Sequence, residues 1–417
     1  MPVPTIVLAH DSFTQLGGAE RVFLCMAEMF PEAPIYTLVL DKAVAKQLPA
    51  SIRSRMTVSK LQWLYNVFPR FQYLLPFIPL AIWLTKIPDC DVLLSSSSGF
   101  AKGFRKPLRQ FNNLTTKQFN KETATHINYC HTPTRFLWSD REYIEQEVPW
   151  LVRWPAKLFL WWMKQWDLHV AEQVDVFIAN SLEVQARIEK YYHRKSEVVY
   201  PFVDLEFWKP VPSTAIPAEA GIQVGLSANS GITSHGSLVG ELDPRIREDD
   251  NAPAGYFLIA GRLHAHKAND MVVEVCNELG LNLHVVGSGR NETQLKAIAG
   301  PTVKFLGRVT DEELREEFTR AEGYIYPQLE DFGLMPLEAA ACSTPTIGIS
   351  QGGSRETIVP GVTGEWFTRG NKEELKKILL GWKKSKYSTD SLRKHAEKFS
   401  KEKFKSEITK QLNNLAI

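Results

Sequence analysis

Two carboxylates, Glu330 and Glu338, bracket the run Asp331-Phe332-Gly333-Leu334-Met335-Pro336-Leu337. The run follows a short apolar stretch that reads as a buried strand. It leads into a helix with Pro336 near the first turn, where a missing N–H costs little. The amides of Phe332, Gly333 and Leu334 would gather there around one point, as an anion requires, and Gly333 lets a ligand approach without a Cβ in the way. Two carboxylates beside such a cradle do not both bind phosphate. They suit neutral hydroxyls on either side of it, such as those of a sugar and of a ribose. On this pattern alone, a capping acid and a surface glutamate explain the pair about as well as a ligand site does.

Other chemistry-bearing patterns fall short. Asp89-Cys90-Asp91 spells the D-x-D of metal-dependent transferases, but it precedes the apolar run Val92–Ser95 and reads as the polar start of a strand. Gly287-Ser288-Gly289 lacks the third glycine of a dinucleotide fingerprint. His264 and His266 have no third ligand at metal spacing, so no metal site is expected. The five cysteines, Cys25, Cys90, Cys130, Cys276 and Cys342, lie far apart without a C-x-x-C pair. That excludes a disulfide scaffold and a structural zinc module, and suits a reducing compartment. Asn113-Leu114-Thr115 and Asn291-Glu292-Thr293 match the glycosylation pattern, yet Met1–His10 has no basic leader and reads as a buried strand.

The elements that must position these residues alternate between apolar runs and helical patterns, which argues for βαβ units and parallel sheets. Strands are expected at Thr5–Ala9, Ile35–Leu40, Val92–Ser95, Thr125–Cys130 and Val174–Asn180 in the first half. In the second half they are expected at Tyr256–Gly261, Asn282–Val286, Val303–Leu306, Gly323–Tyr326 and Thr346–Ile349. Helices are expected at Ala19–Phe30, Asp270–Leu279, Asp311–Ala321, Pro336–Ala341 and Lys372–Lys384. The result is an α/β chain of two Rossmann-like domains, 1–200 and 201–385, joined near Tyr200–Pro210, with final helices in 386–417. Two polar stretches without periodicity, 103–124 and 213–253, read as weakly ordered insertions. With 44% hydrophobic and 23% charged residues over 417 positions, collagen, coiled coil and wholesale disorder are excluded.

The net charge of +2 hides an asymmetry: from Lys42 to Lys121 thirteen Lys and Arg face only Asp89 and Asp91, a local +11 that leaves −9 elsewhere. Such a block suits nucleic acid, anionic lipid or a phosphorylated substrate, and equally a solvated surface. Within it Trp63, Tyr65, Phe68, Phe71, Tyr73 and Trp83 interleave with Lys60, Arg70 and Lys86. A second patch, Trp150–Trp166, mixes Trp150, Trp154, Trp161, Trp162 and Trp166 with Arg153, Lys157 and Lys164 and has no acid. Stretches of rings and cations of this kind lie at the headgroup level of anionic membranes, or else bury their rings in a core. Tyr73–Leu84 is uncharged but too short for the ~20 residues a span needs, so peripheral contact is the expectation.

The arrangement Glu330-x7-Glu338 around Phe332-Gly333-Leu334 resembles the signature of the retaining family 4 glycosyltransferases, which have the GT-B fold. Gly17-Gly18-Ala19-Glu20-Arg21 resembles that family's glycine-rich N-terminal loop. Gly261-Arg262-Leu263 with Lys267 resembles its donor-diphosphate pair, and His131-Thr132-Pro133 its histidine loop. Val286-Gly287-Ser288-Gly289, Phe305-Leu306-Gly307, and Gly352-Gly353 with Glu356 fall in order too. His10-Asp11, Ser95-Ser96, Ala101-Lys102-Gly103 and Tyr200-Pro201 resemble the mannosyltransferase-like branch that builds bacterial surface polysaccharides.

The resemblance implies an N-terminal acceptor domain and a C-terminal donor domain facing each other across a cleft, with the last helices crossing back onto the first domain. It implies that Arg262 and Lys267 hold the leaving diphosphate, as a bidentate fork and a point charge, with the Phe332–Leu334 amides beside it. Gly17 and Gly18 would approach the diphosphate from the other domain. Glu330 would bind the transferred sugar, Glu338 the ribose, and His131 would stand on the acceptor side. The implied reaction moves a hexose, mannose by this branch, from a nucleotide sugar to a lipid-linked or oligosaccharide acceptor with retention. No metal, no cofactor and no nucleic-acid partner is expected, and the expected location is the cytoplasm or the inner face of its membrane. A GT-B epimerase or phosphorylase, or an idle sugar-nucleotide-binding scaffold, remain as alternative readings.

Overall fold

The computed structural model describes residues 4–105, 124–139, 153–212 and 255–414. Most of both stretches read as insertions, 106–123 and 213–254, lies outside the described residues. The chain forms two all-parallel sheets. The first runs β3-β2-β1-β4-β5-β6-β7, from β1 (Ile6–His10), β2 (Ile35–Thr37), β3 (Met56–Val58), β4 (Val92–Ser97), β5 (Thr125–Cys130), β6 (Val176–Ala179) and β7 (Ser196–Val198). The second runs β10-β9-β8-β11-β12-β13, from β8 (Phe257–Ala260), β9 (Leu283–Val286), β10 (Val303–Gly307), β11 (Gly323–Tyr326), β12 (Thr346–Ile349) and β13 (Gly364–Phe367). All ten expected strands are present. The three not expected, β3, β7 and β13, are sheet edges.

Side-chain alternation explains why both sheets are covered on both faces. In β1 and β4, Val7, Ala9 and Leu93 enter one core layer, whereas Leu8, Val92 and Leu94 enter the other. In β8 and β11, Phe257, Ile259 and Ile325 point one way, and Leu258, Ala260, Tyr324 and Tyr326 the other. The five cysteines are free and buried, small apolar fillers of these layers.

The final helix, Lys401–Asn414, packs on the first sheet's core through Phe404 and Ile408. The Phe404 ring meets Tyr129 edge-on at 5.8 Å, and Lys401 pairs with Glu28 at 2.8 Å. Tyr200, in the connection between the sheets, stacks on Phe332 at 5.5 Å. The aromatic patches divide. Tyr65 is buried and Phe71 and Trp166 are half-buried, but Trp63, Trp83, Trp154, Trp161 and Trp162 are exposed. Trp150 lies outside the described residues.

Candidate functional site

In each sheet the strand order reverses between two neighbours, β1/β4 in the first and β8/β11 in the second. Loops leaving the carboxyl ends of strands at such a point diverge and open a crevice. Here the loops after β1, β5, β8 and β11 meet one another across the two domains. Glu330 lies in the loop after β11. Its carboxylate contacts Lys267 Nζ from the loop after β8, and Arg135 Nη2 of the first domain stands 3.7 Å away. Lys267 is buried and Glu330 half-buried. The next residue, Asp331, accepts from Arg135 Nε and Nη2 at 3.1 and 2.5 Å, and from Arg187.

Gly333 has φ +81, and a Cβ there would stand 2.8 Å from the Tyr326 hydroxyl, so the loop's turn demands glycine. The amide N–H groups of Phe332, Gly333 and Leu334 donate to no protein acceptor among the described residues. The Phe332 side chain itself belongs to the core, against Tyr200 and Phe399. Glu338 follows in the helix Met335–Ala341 and is 7% exposed. Burial pushes its carboxyl up to about 7, against the opposing pull of Arg21, whose Nη1 is 3.8 Å away.

Arg21 lies in the helix Gly18–Met29 of the first domain and pairs with Asp311 at 2.6 Å. Gly17 caps this helix, its N–H donating to Glu20 Oε2 at 2.7 Å. Gly18 faces Leu334 across the cleft, with Cδ1 3.3 Å from where a Cβ would stand. Arg262 is exposed and donates across the same cleft to Gln15 Oε1 at 2.6 Å. Its loop is shaped by Gly287, where a Cβ would lie 1.8 Å from the Gly261 carbonyl oxygen. Glu330, Glu338, Arg262, Lys267, Gly17, Gly18 and the three amides thus converge on one interdomain region.

His131 sits apart from them, bonded to the first domain alone. Its Nε2 lies 2.8 Å from Ser96 Oγ, which lies 3.2 Å from His10 Nδ1. The register of β1 on β4 places His10 opposite Ser96. Both rings are buried, and desolvation lowers each to about 3, so both are neutral near pH 7. Asp11 accepts from the amides of Ser98, Phe100 and Ala101. Beside it Lys102 and Asp167 form a fully buried pair at 2.7 Å, and Asp167 also accepts from Thr134, Trp138 and Tyr192. This network holds the loop after β4 to the loop that carries His131.

Two family models match the chain: the one described as Glycosyltransferase Family 4 over residues 16–207, and Glycosyl transferases group 1 over 244–403. The chain belongs to glycosyltransferase family 4. A D-inositol 3-phosphate glycosyltransferase of Geodermatophilus obscurus is 29% identical over 218 residues, 47% of this chain and 42% of that protein. A GDP-mannose-dependent monoacylated alpha-(1-6)-phosphatidylinositol monomannoside mannosyltransferase of Corynebacterium glutamicum is 29% identical over 135 residues, 28% of this chain and 35% of that one. These alignments span less than half the length of either relative. HepE of Anabaena, solved with UDP-glucose, superposes with a TM-score of 0.64 at 16% identity, over 99% of this chain and 100% of the other. Sucrose-phosphate synthase of Thermosynechococcus elongatus gives 0.65 at 16% identity, over 99% of both chains. At these identities the likeness is one of fold, and the fold is GT-B.

Several residues of this family 4 glycosyltransferase's cleft escape sequence reasoning. Asp331 stands between the two glutamates, but its partners Arg135 and Arg187 are 196 and 144 positions away. Glu356, named above with Gly352-Gly353, takes a part its motif did not specify: it accepts from the amides of Leu182 and Glu183 at 2.8 and 3.3 Å, capping a first-domain helix from the second domain. The patterns set aside in the sequence have structural places. Asp91 receives Thr5's amide and hydroxyl, each at 2.9 Å, at the foot of the first sheet. His264 and His266 stack on each other at 5.5 Å, and desolvation first, then the cations beside them, hold both below the usual imidazole value. Among the described residues no group of three His, Cys, Asp or Glu is arranged to hold a metal ion.

Proposed function

We propose that this chain is a retaining hexosyltransferase that moves mannose from a nucleotide sugar, GDP-mannose, to a lipid-linked or oligosaccharide acceptor in the synthesis of a bacterial surface polysaccharide. The observation that carries the reading is the cleft itself. Glu330 and Glu338 flank three unsatisfied amides, with Lys267 and Arg262 beside them and Gly17-Gly18 opposite. That arrangement provides cations and N–H groups for a diphosphate, and a carboxylate on each side for hydroxyls.

In the proposed reaction the C1–O bond to the diphosphate breaks as a C1–O bond to the acceptor hydroxyl forms on the same face. The acceptor's proton passes to the departing diphosphate. Negative charge grows on that leaving group, where Arg262, Lys267 and the amides of Phe332, Gly333 and Leu334 stabilise it. The donor's diphosphate takes Lys267 from Glu330, freeing that carboxylate for the hydroxyls of the sugar. Glu338 accepts from the ribose. His131, neutral and fixed through Ser96, presents its remaining ring edge to the acceptor side rather than a charge.

Mannose and the guanine base are supported by the Corynebacterium relative, whose name is that of a GDP-mannose-dependent mannosyltransferase. The competing donor is UDP-glucose, which HepE binds. A thermal-shift and hydrolysis screen over nucleotide sugars tests both levels. A ligand at a hundredfold its dissociation constant stabilises by about 2.7 kcal/mol, and GDP-mannose should shift melting most and be slowly hydrolysed without acceptor. Response to UDP-glucose alone overturns the donor assignment, and silence with every nucleotide sugar overturns the transferase reading in favour of an idle scaffold.

A further inference from the structure

The first domain carries an apolar face that the chain itself leaves uncovered. Three segments lie over one core layer: the helix Leu61–Val67, the continuous turns and helix of 71–84, and the helix Arg153–Glu172. Their inner residues, Leu61, Leu74, Ile78, Leu160 and Met163 among them, share a single buried cluster. Their outer residues include Trp63 at 74% exposure, Trp83 at 57%, Trp154 at 84% and Leu158 at 65%. Tryptophans presented to water at this density from neighbouring segments are a contact surface, since single domains rarely leave broad apolar patches open.

Charge identifies the partner. Between Asp41 and Asp89 the chain has no acidic residue, and Lys60, Arg70 and Lys86 are exposed amid the rings. None of the three pairs with a carboxylate among the described residues. The helix from Arg153 has no acid before the fully buried Asp167. Amphipathic rings settle at the headgroup level of a bilayer, and cations beside them meet anionic phosphates. No helix among the described residues is long and apolar enough to cross a membrane, so the contact is lateral.

We propose that this face docks the protein on an anionic phospholipid bilayer, with Trp63, Trp83 and Trp154 in the headgroup layer and Lys60, Arg70 and Lys86 against the phosphates. The face is one layer of rings from the cleft. Arg135 reaches Glu330, its neighbour Phe136 lies 6.1 Å from Phe100, and Phe100 lies 5.9 Å from Phe71 and 6.3 Å from Trp166. Docking therefore brings the acceptor side of the cleft toward the surface, which suits a lipid-linked acceptor; that clause alone rests on the function proposed above.

The test is flotation of the full chain with phosphatidylcholine vesicles, with and without about a third phosphatidylglycerol. Binding should be at least about tenfold tighter to the anionic vesicles and should weaken with salt. Trp63→Ser/Trp83→Ser/Trp154→Ser should lose about tenfold or more in vesicle affinity at unchanged melting temperature. Lys60→Glu/Arg70→Glu/Lys86→Glu changes only exposed side chains and should abolish the anionic preference; it decides the matter if the tryptophan variant melts low. No association with anionic vesicles, or a preference that survives charge reversal, overturns the proposal. So does a dimer in sedimentation that the tryptophan variant returns to monomer, which would make the face a contact with a second copy. Donor hydrolysis in solution should be unchanged in both variants. A chain that docks yet hydrolyses no nucleotide sugar keeps this proposal and loses the one before it.

Discussion

Arg135 and Asp331 join the two domains at the mouth of the cleft: the arginine's Nε and Nη2 both reach Asp331 Oδ2, at 3.1 and 2.5 Å. Arg187 takes the other carboxylate oxygen, and the Asp331 side chain is only 10% exposed. Asp331 is bonded through the backbone to Glu330, so the clamp fixes the neighbouring carboxylate relative to the first domain.

Asp331→Asn should therefore act on the reaction without reaching the core. Removing one partner of a desolvated charge pair costs about 2–5 kcal/mol, much of it from cations left unpaired. The expected outcome is a fall in kcat/KM of donor turnover of at least tenfold, about 1.4 kcal/mol. Arg135→Gln should fall similarly, and the double variant should lose less than the sum of the two, since both changes open one clamp. Additive losses would show that the two residues act separately.

Arg262→Ala and Lys267→Ala address the diphosphate site proposed above. Each should raise the barrier by about 3 kcal/mol, as loss of one preorganised donor does in other enzymes, with the fold intact. The two differ in what they leave behind. Lys267→Ala strips Glu330 of its buried cation, whereas Arg262→Ala removes an exposed side chain whose partner is Gln15. Melting should therefore fall in the lysine variant and hold in the arginine variant. Wild-type turnover by either variant, at saturating and limiting donor, would remove that residue from the diphosphate site.

Glu338 makes stability depend on pH. Its folded value, about 7, lies above the 4.5 of the free side chain because burial disfavours the carboxylate. A raised folded value means that the native state holds the proton more tightly. The stabilisation is complete below pH 4.5 and is lost as pH rises through 7. The shift corresponds to about 3 kcal/mol at 1.36 kcal/mol per pH unit. Glu338→Gln has no such proton to lose, so its melting temperature should gain on the wild type as pH rises from 4.5 to 8. Parallel melting curves across that range would contradict the burial of this carboxyl.

How much of this was readable in advance follows from where each signal resides. Nine of the ten expected strands lie inside the sheets, where burial on both faces makes them apolar runs, and the tenth, the edge strand β10, is marked by Val303, Phe305 and Leu306. The other three edges are not marked: Met56-Thr57-Val58, Ser196-Glu197-Val198 and Gly364-Glu365-Trp366-Phe367 are short and mix polar with apolar residues, as half-solvated strands do. At the site, Glu330, Glu338, Arg262 and Lys267 were marked by resemblance to a family and not by spacing alone. Arg135, Arg187 and Asp331 form a pair of contacts only because two domains face each other, and no local pattern encodes that. His10 and Ser96 meet through the β1–β4 register, which no periodicity in either strand specifies. The rings of Trp63 and Trp154 were visible as a composition of aromatics and cations, but the sequence left open whether they faced core or solvent.

The two carboxylates of the signature should separate in a single titration. Glu330 stands against Lys267 and Arg135 on one side of the unsatisfied amides, and Glu338 on the other, buried beside Arg21. If the amides hold the diphosphate, the sugar lies toward Glu330 and the nucleoside toward Glu338. Glu330→Gln should then cut turnover sharply while nucleoside diphosphate alone still binds near wild-type affinity. At pH 8, above the raised value of its carboxyl, Glu338→Gln should weaken intact donor and free nucleoside diphosphate alike, by about 1.5–3 kcal/mol for a charged acceptor made neutral. Both substitutions keep the shape of the side chain and remove only its charge, so packing is preserved. Calorimetric titration of nucleoside diphosphate into the two variants reads the difference directly. Equal losses would overturn the division of roles between the two carboxylates, and a loss confined to Glu330→Gln would reverse the orientation of the donor in the cleft.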